Sequence, residues 1–76
     1  MDKIRFLMSD TGSQVTAMCV RALEEKNIAV TVCEKEGNRV LEAMLKQQPD
    51  VVLLDAFMPG LDAVTVKQRY EAKCQR

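Results

Sequence analysis

Residues 50–59 have the sequence DVVLLDAFMP, in which the apolar run Val51 to Leu54 leads to Asp55 and then to a loop that contains Pro59. A continuous apolar run with β-branched residues is typical of a parallel strand that is covered on both faces. In open α/β sheets, ligands bind in the crevice beyond the carboxyl ends of such strands. The run therefore predicts a buried strand that presents an acid to a crevice, and Asp55 is the leading candidate for a functional residue.

Length and composition exclude several classes of protein. The chain has 76 residues, 47% hydrophobic and 29% charged, which suits one small folded domain and not a disordered segment. Eleven basic and eleven acidic residues cancel, so the chain lacks the positive field of a nucleic-acid-binding domain. There is neither a signal peptide nor an apolar run long enough to span a bilayer. We therefore expect a cytoplasmic protein with no direct contact to nucleic acid or membrane.

The residue types leave carboxylates as the plausible chemistry. The chain contains no histidine, and its three cysteines are widely spaced, which argues against a zinc site, a disulfide framework and a histidine-activated nucleophile. No glycine-rich phosphate-binding loop is present.

Hydrophobic periodicity predicts three strand–helix units in alternation, and hence a parallel sheet. The predicted strands cover residues 3–8, 28–33 and 51–54. The first helix is expected from Val15 to near Lys26, the second ends before Pro49, and the third begins after Asp62, which can cap it. The core-facing positions are predicted to be Val15, Met18, Cys19, Ala22 and Leu23 in the first helix, Val40, Leu41, Met44 and Leu45 in the second, and Ala63, Val66 and Tyr70 in the third.

Topology brings a second acid to the crevice. If strands two and three lie on either side of strand one, right-handed crossovers place the first two helices on opposite faces of the sheet. The switch point then falls between the carboxyl ends of strands one and three, where Asp10 and Asp55 lie. Two carboxylates in one crevice imply a cation site, and oxygen ligands suit Mg²⁺. The alternative is that Asp10 caps the first helix and Asp55 accepts hydrogen bonds from loop amides.

Asp10 after the first strand, Asp55 at the end of the third and the loop Met58-Pro59-Gly60-Leu61-Asp62 together resemble the receiver domain of bacterial two-component response regulators. The resemblance implies a flavodoxin-like, three-layer α/β fold with strand order 2-1-3. Residues 1–76 would then form a partial receiver domain that contains the first three of five strand–helix units. Residues 1–4, 48–51 and 58–62 are most similar to the sporulation-type transcription regulators of endospore-forming bacteria.

The resemblance also implies a function for the site. Asp55 would accept a phosphoryl group from a histidine kinase or a phosphotransfer protein, and the chain would catalyse at most its own phosphorylation and dephosphorylation. Mg²⁺, or another divalent cation such as Ca²⁺, would be held by Asp10, Asp55 and the backbone carbonyl of Phe57. Thr11 stands where receivers usually carry a second acid, so we expect weak metal affinity. The switch Ser or Thr after strand four and the phosphate-binding Lys after strand five have no counterpart in these residues.

An unpaired edge at strand three leaves two other hypotheses open. A strand with no further neighbour exposes backbone groups that pair with another chain. Either the chain is a fragment of a longer protein, or a second copy covers this edge in a homodimer or a domain-swapped oligomer. A pseudo-receiver that uses this edge for association without phosphorylation is therefore the alternative function. A flavodoxin-like nucleotide-binding module is disfavoured because it would need a glycine-rich loop.

Overall fold

A computed structural model describes residues 3–74, in which three strands alternate with three helices. The predicted order of elements is confirmed, and the boundaries shift by up to two residues. The elements are β1 (Arg5–Ser9), α1 (Ser13–Glu25), β2 (Ala29–Cys33), α2 (Gly37–Gln47), β3 (Val51–Leu53) and α3 (Ala63–Cys74). No helix in the described range is long and apolar enough to cross a bilayer.

The three strands form a parallel sheet in the predicted order β2-β1-β3. Leu7, in the middle of β1, is opposite Thr31 of β2 and Val52 of β3. Because parallel crossovers are right-handed, α1 lies on one face of this sheet and α2 on the other. The central strand β1 is therefore flanked by a strand on each side, whereas β3 forms an edge of the sheet.

The main hydrophobic core lies between the sheet and the pair α2 and α3. Leu7 and Val66 are fully buried, and the interior face of α2 completes the cluster with Val40, Leu41 and Met44, as the sequence predicts. Ala63, Leu45 and Tyr70 pack against the same cluster from its margin. The predicted core faces of the second and third helices are thus confirmed.

The predicted core face of α1 is confirmed only in part. Val15 and Met18 are 57% and 70% exposed, and Ala22 is exposed as well. Thr16 of this helix is buried, and its hydroxyl donates to Asp10 Oδ1 at 2.8 Å. The face of α1 that bears Thr16 therefore turns inward. Cys19 and Leu23 remain partly buried.

The prediction that β3 is covered on both faces is wrong. Val52 packs on the core with Leu7, but Val51 and Leu53 are 45% and 49% exposed. Successive side chains of a strand point to opposite faces, so Val51 and Leu53 lie on the face occupied by α1. That helix packs mainly against β2, at the other edge of the sheet, and leaves this part of β3 open.

Candidate functional site

The carboxyl edge of the sheet brings the loops after β1, β2 and β3 together. Asp10 donates its backbone N–H to the carbonyl of Cys33 at 2.9 Å, which fixes it beside the end of β2. Asp55 donates its backbone N–H to the hydroxyl of Ser9 at 3.2 Å. Ser9 is fully buried and directly precedes Asp10. The structure therefore places both acids at the same edge of the sheet and connects their backbones through Ser9.

Asp10 is held as a carboxylate by local hydrogen bonds. Its Oδ1 accepts the backbone N–H of Gly12 at 3.1 Å and the hydroxyl of Thr16 at 2.8 Å. The Gly12 N–H, and after it the Thr16 hydroxyl, lower the pKa of Asp10 below its usual value. The hydroxyl of Thr16 also accepts the N–H of Thr11 at 3.1 Å. The residue at the N-cap of α1 is Gly12, so Asp10 forms a turn before this helix and does not cap it.

Asp55 has one buried oxygen that receives no hydrogen bond from the described part of the chain. This atom, Oδ2, lies 3.4 Å from Nζ of Lys35, and the geometry is that of an ion pair. The Asp55 side chain is 27% exposed, so its carboxyl group can still be reached from solvent. A buried carboxylate oxygen without a donor is costly unless a cation faces it. Lys35 supplies that cation.

Lys35 contacts Asp55, although the sequence does not predict this contact. It is the central residue of a tight turn in which the N–H of Glu36 donates to the carbonyl of Glu34 at 2.8 Å. The turn follows the end of β2, next to β1, and so projects from the same edge as Asp55. The sequence places Lys35 directly after the second predicted strand, between two glutamates. A lysine in such a charged loop is usually solvated, so the sequence gives no reason to expect a contact with Asp55. The conformation of the turn brings it to Asp55.

The loop from β3 to α3 carries Phe57, two residues beyond Asp55. Its side chain is 86% exposed, whereas the neighbouring Met58 is buried in the core and anchors the loop. At the end of the loop, Asp62 Oδ1 accepts the N–H of Thr65 at 2.8 Å and caps α3, as predicted. Phe57 therefore belongs to a loop that is fixed by the buried Met58 and by the Asp62 cap.

The predicted cation ligands Asp10, Asp55 and the Phe57 carbonyl offer oxygen atoms only, which is the donor type that a divalent cation such as Mg²⁺ prefers. Oδ2 of Asp55 accepts no hydrogen bond within residues 3–74 and faces Lys35 as its ion-pair partner. Carboxylate and carbonyl oxygens are ligands that suit Mg²⁺ or Ca²⁺. Asp10 already uses Oδ1 for two hydrogen bonds, and Thr11 is neutral. Across residues 3–74, no cluster of three acidic, cysteine or histidine side chains has the arrangement of a metal site. Asp10, Asp55 and the Phe57 carbonyl therefore supply a smaller negative charge than a site with three acids.

Comparisons with known proteins agree with this architecture. No protein-family model matches the chain. The transcriptional regulatory protein RstA of Escherichia coli K12 is 34% identical over 73 residues, which cover 96% of this chain and 29% of RstA. The DNA-binding transcriptional regulator NtrC of Klebsiella pneumoniae is 37% identical over 65 residues, or 80% of this chain and 14% of NtrC. The chain thus spans less than a third of either relative.

A solved structure extends the similarity to three dimensions. The crystal structure of the BeF3-activated N-terminal receiver domain of Klebsiella pneumoniae RstA superposes with a TM-score of 0.77 at 27% sequence identity. The superposition covers 93% of this chain and 60% of that domain. The three strand–helix units described above are therefore arranged as in that domain.

Proposed function

We propose that this chain, which belongs to the receiver domains of transcriptional response regulators, accepts a phosphoryl group on Asp55. The observation that carries the proposal is the Asp55 carboxylate at the end of β3, with one buried oxygen facing a cation and the side chain still open to solvent. A carboxylate that only satisfied loop amides would have N–H donors on its oxygens. Asp55 has a lysine there instead.

The chemistry required of Asp55 is a single displacement at phosphorus. A carboxylate oxygen forms a bond to phosphorus while the bond from phosphorus to the donor atom breaks, and the donor atom keeps the electron pair. Ser9 holds the Asp55 backbone through a hydrogen bond, so the carboxylate is positioned before the donor arrives. A divalent cation held by Asp10, Asp55 and the Phe57 carbonyl would offset charge on the phosphoryl oxygens. The chain would catalyse no reaction beyond gain and loss of this group.

The finer features of the proposal rest on the sequence. Residues 1–76 form a partial receiver domain, and the donor is a histidine kinase or a phosphotransfer protein. The segments 1–4, 48–51 and 58–62 favour a regulator of the sporulation type that acts in the cytoplasm. Phosphorylation would control transcription through an output function outside these residues, because the charge-balanced segment is unsuited to contact DNA.

The test is phosphorylation by a small acyl phosphate. The wild-type chain is incubated with acetyl phosphate and Mg²⁺, and intact mass spectrometry is used to detect addition of one phosphoryl group. Asp55→Asn is expected to remain unmodified. Asp50→Asn is the matched control, because Asp50 lies at the opposite end of β3 and hydrogen-bonds to the backbone of Arg5. Equal modification of wild type and Asp55→Asn would refute the assignment of Asp55.

The exposed edge of β3 favours a second candidate function, association with another copy of the chain. Val51 and Leu53 are half exposed on an edge strand whose outer backbone groups have no strand partner within residues 3–74. A second copy that added its own β3 to this edge would pair these groups about a two-fold axis, in a homodimer or a domain-swapped oligomer. This association would need no phosphate and corresponds to a pseudo-receiver.

Sedimentation equilibrium without phosphodonor tests the second candidate. A dimer is expected for the wild type, and Leu53→Lys is expected to shift it to monomer because a charge on an edge strand opposes pairing. Val64→Lys is the control, since Val64 is 64% exposed and belongs to α3, not to the edge strand. A monomeric wild type would reject association as the function.

A further inference from the structure

We propose that Lys35 is the residue of this chain that binds the phosphoryl group carried by Asp55. This role rests on the proposed function, and it belongs to a residue other than the predicted cation ligands Asp10, Asp55 and Phe57. Its basis is the contact of 3.4 Å between Nζ of Lys35 and the buried Oδ2 of Asp55.

Lys35 differs from the other paired cations of the described chain by its position. Arg5 pairs with Asp50 at the amino-terminal end of the sheet, and Lys67 pairs with Glu71 along the surface of α3. Both of these pairs have more than half of each side chain exposed. The Lys35–Asp55 pair lies at the carboxyl edge, and one of its two atoms is buried. Among the ion pairs of residues 3–74, this is the one whose carboxylate is the proposed phosphoacceptor.

The charge change on phosphorylation explains what Lys35 would do. A carboxylate with one negative charge becomes an acyl phosphate whose terminal oxygens carry between one and two. An ammonium group has three N–H donors, so Lys35 can keep its contact with the Asp55 carboxyl group and also donate to a phosphoryl oxygen. With Thr11 neutral, the site has two carboxylates, Asp10 and Asp55, against this one lysine. Added negative charge therefore increases the attraction for Lys35.

The backbone around Lys35 is fixed before phosphorylation. The turn from Glu34 to Glu36 is closed by a hydrogen bond of 2.8 Å, and the Glu36 carboxylate accepts the N–H of Arg39 at 2.9 Å at the start of α2. The lysine stem is thus anchored at its Cα, and only the side chain must adjust to follow a phosphoryl oxygen. A preorganised donor of this kind loses little entropy when it binds.

The test measures the rate of phosphorylation by acetyl phosphate at constant Mg²⁺ for four chains: wild type, Lys35→Gln, Lys35→Arg and Lys67→Gln. Loss of a charge-assisted contact to the transferred group is expected to slow Lys35→Gln by about tenfold. Lys35→Arg keeps the charge and is expected to restore most of the rate. Lys67→Gln removes an exposed lysine of α3 and is expected to match the wild type. Melting temperatures establish that all four chains are equally folded.

Ionic strength gives a second readout that a purely structural role of Lys35 would not change. The wild-type rate is expected to fall as salt screens the lysine, and the rate of Lys35→Gln is expected to depend less on salt. Equal rates for wild type and Lys35→Gln would overturn the role of Lys35 while leaving the phosphorylation of Asp55 intact. Equal slowing in Lys35→Gln and Lys67→Gln would overturn it as well. A wild type that gains no phosphate would overturn the proposed function, and the role of Lys35 with it.

Discussion

Gly37, the first residue of α2, donates its backbone N–H to the carbonyl of Pro59 at 2.8 Å. This hydrogen bond joins the loop that carries Lys35 to the loop that follows Asp55. The two members of the Lys35–Asp55 pair are therefore held by loops that are fixed to each other.

Gly37→Ala is predicted to weaken this junction. A Cβ at position 37 would overlap the backbone of Leu61, so the two loops must separate, at a cost of about 1–3 kcal/mol in the free energy of unfolding. Alanine has a higher helix propensity than glycine, so propensity alone would make the variant more stable. A loss of stability would therefore come from the overlap with Leu61. Urea denaturation followed by circular dichroism measures the change. Arg39→Ala, an exposed position in the same helical turn, is the control, and equal stabilities of the two variants would contradict the prediction.

A pair of methionine substitutions tests how the helices pack. Met44 is 5% exposed in the core and Met18 is 70% exposed on α1. Met44→Ala is expected to cost about 2–5 kcal/mol because it leaves a cavity, whereas Met18→Ala is expected to stay within about 0.5 kcal/mol of the wild type. Thermal or urea denaturation of both variants gives the comparison. A large loss for Met18→Ala would mean that this face of α1 is covered in solution.

The capping carboxylate of α3 predicts a dependence of stability on pH. The backbone N–H of Thr65 holds the pKa of Asp62 below its usual value of 3.8. Because the pKa of Asp62 is lower in the folded chain than in the unfolded chain, its ionised carboxylate stabilises the fold at pH values above the unfolded pKa. This stabilisation is lost as the pH falls through the folded pKa. Asp10 and Glu36 have lowered pKa values for similar reasons and act in the same direction. The melting temperature should therefore decline below about pH 4.

Asp62→Asn separates this titration from the cap itself. Asparagine caps helices as well as aspartate does, but it does not ionise. The variant should melt near the wild-type temperature at neutral pH and lose less on acidification, as measured by melting curves across the acidic range. Glu42→Gln, which removes an exposed carboxylate from the middle of α2, is the control. Identical pH profiles for wild type and Asp62→Asn would disprove the contribution of Asp62.

Thr11→Asp is predicted to raise the affinity for Mg²⁺. The substitution places a second carboxylate next to Asp10, and the affinity of an oxygen site increases with the charge of its ligands. Isothermal titration calorimetry with MgCl₂ measures the effect. Gln68→Asp adds the same charge to an exposed position of α3 and serves as the control. If both variants bind Mg²⁺ equally, the cation is not held at the edge that carries Asp10 and Asp55.

The alternation of elements, the strand order and the placement of Asp10 and Asp55 could all be predicted from the sequence. Strand and helix periods are local properties, and crossover handedness then restricts the topology. The orientation of α1 could not be predicted, because the stripe through Val15 and Met18 competes with one through Thr16. In the folded chain the second stripe faces inward, with Cys19 and Leu23 partly buried and the Thr16 hydroxyl hydrogen-bonded to Asp10. The contact of Lys35 with Asp55 depends on a turn conformation, which residue spacing does not specify.

The Asp55 N–H donates a hydrogen bond to Ser9, so this acid is positioned by β1 as well as by β3, the strand that precedes it. β3 has three residues and lies at an edge, whereas Ser9 belongs to β1, which has a neighbour on each side. The backbone at Asp55 is therefore registered against the most constrained strand of the sheet. This contact lies on the β1 side of β3, so it leaves the outer side of β3 free to pair with further strands or another chain.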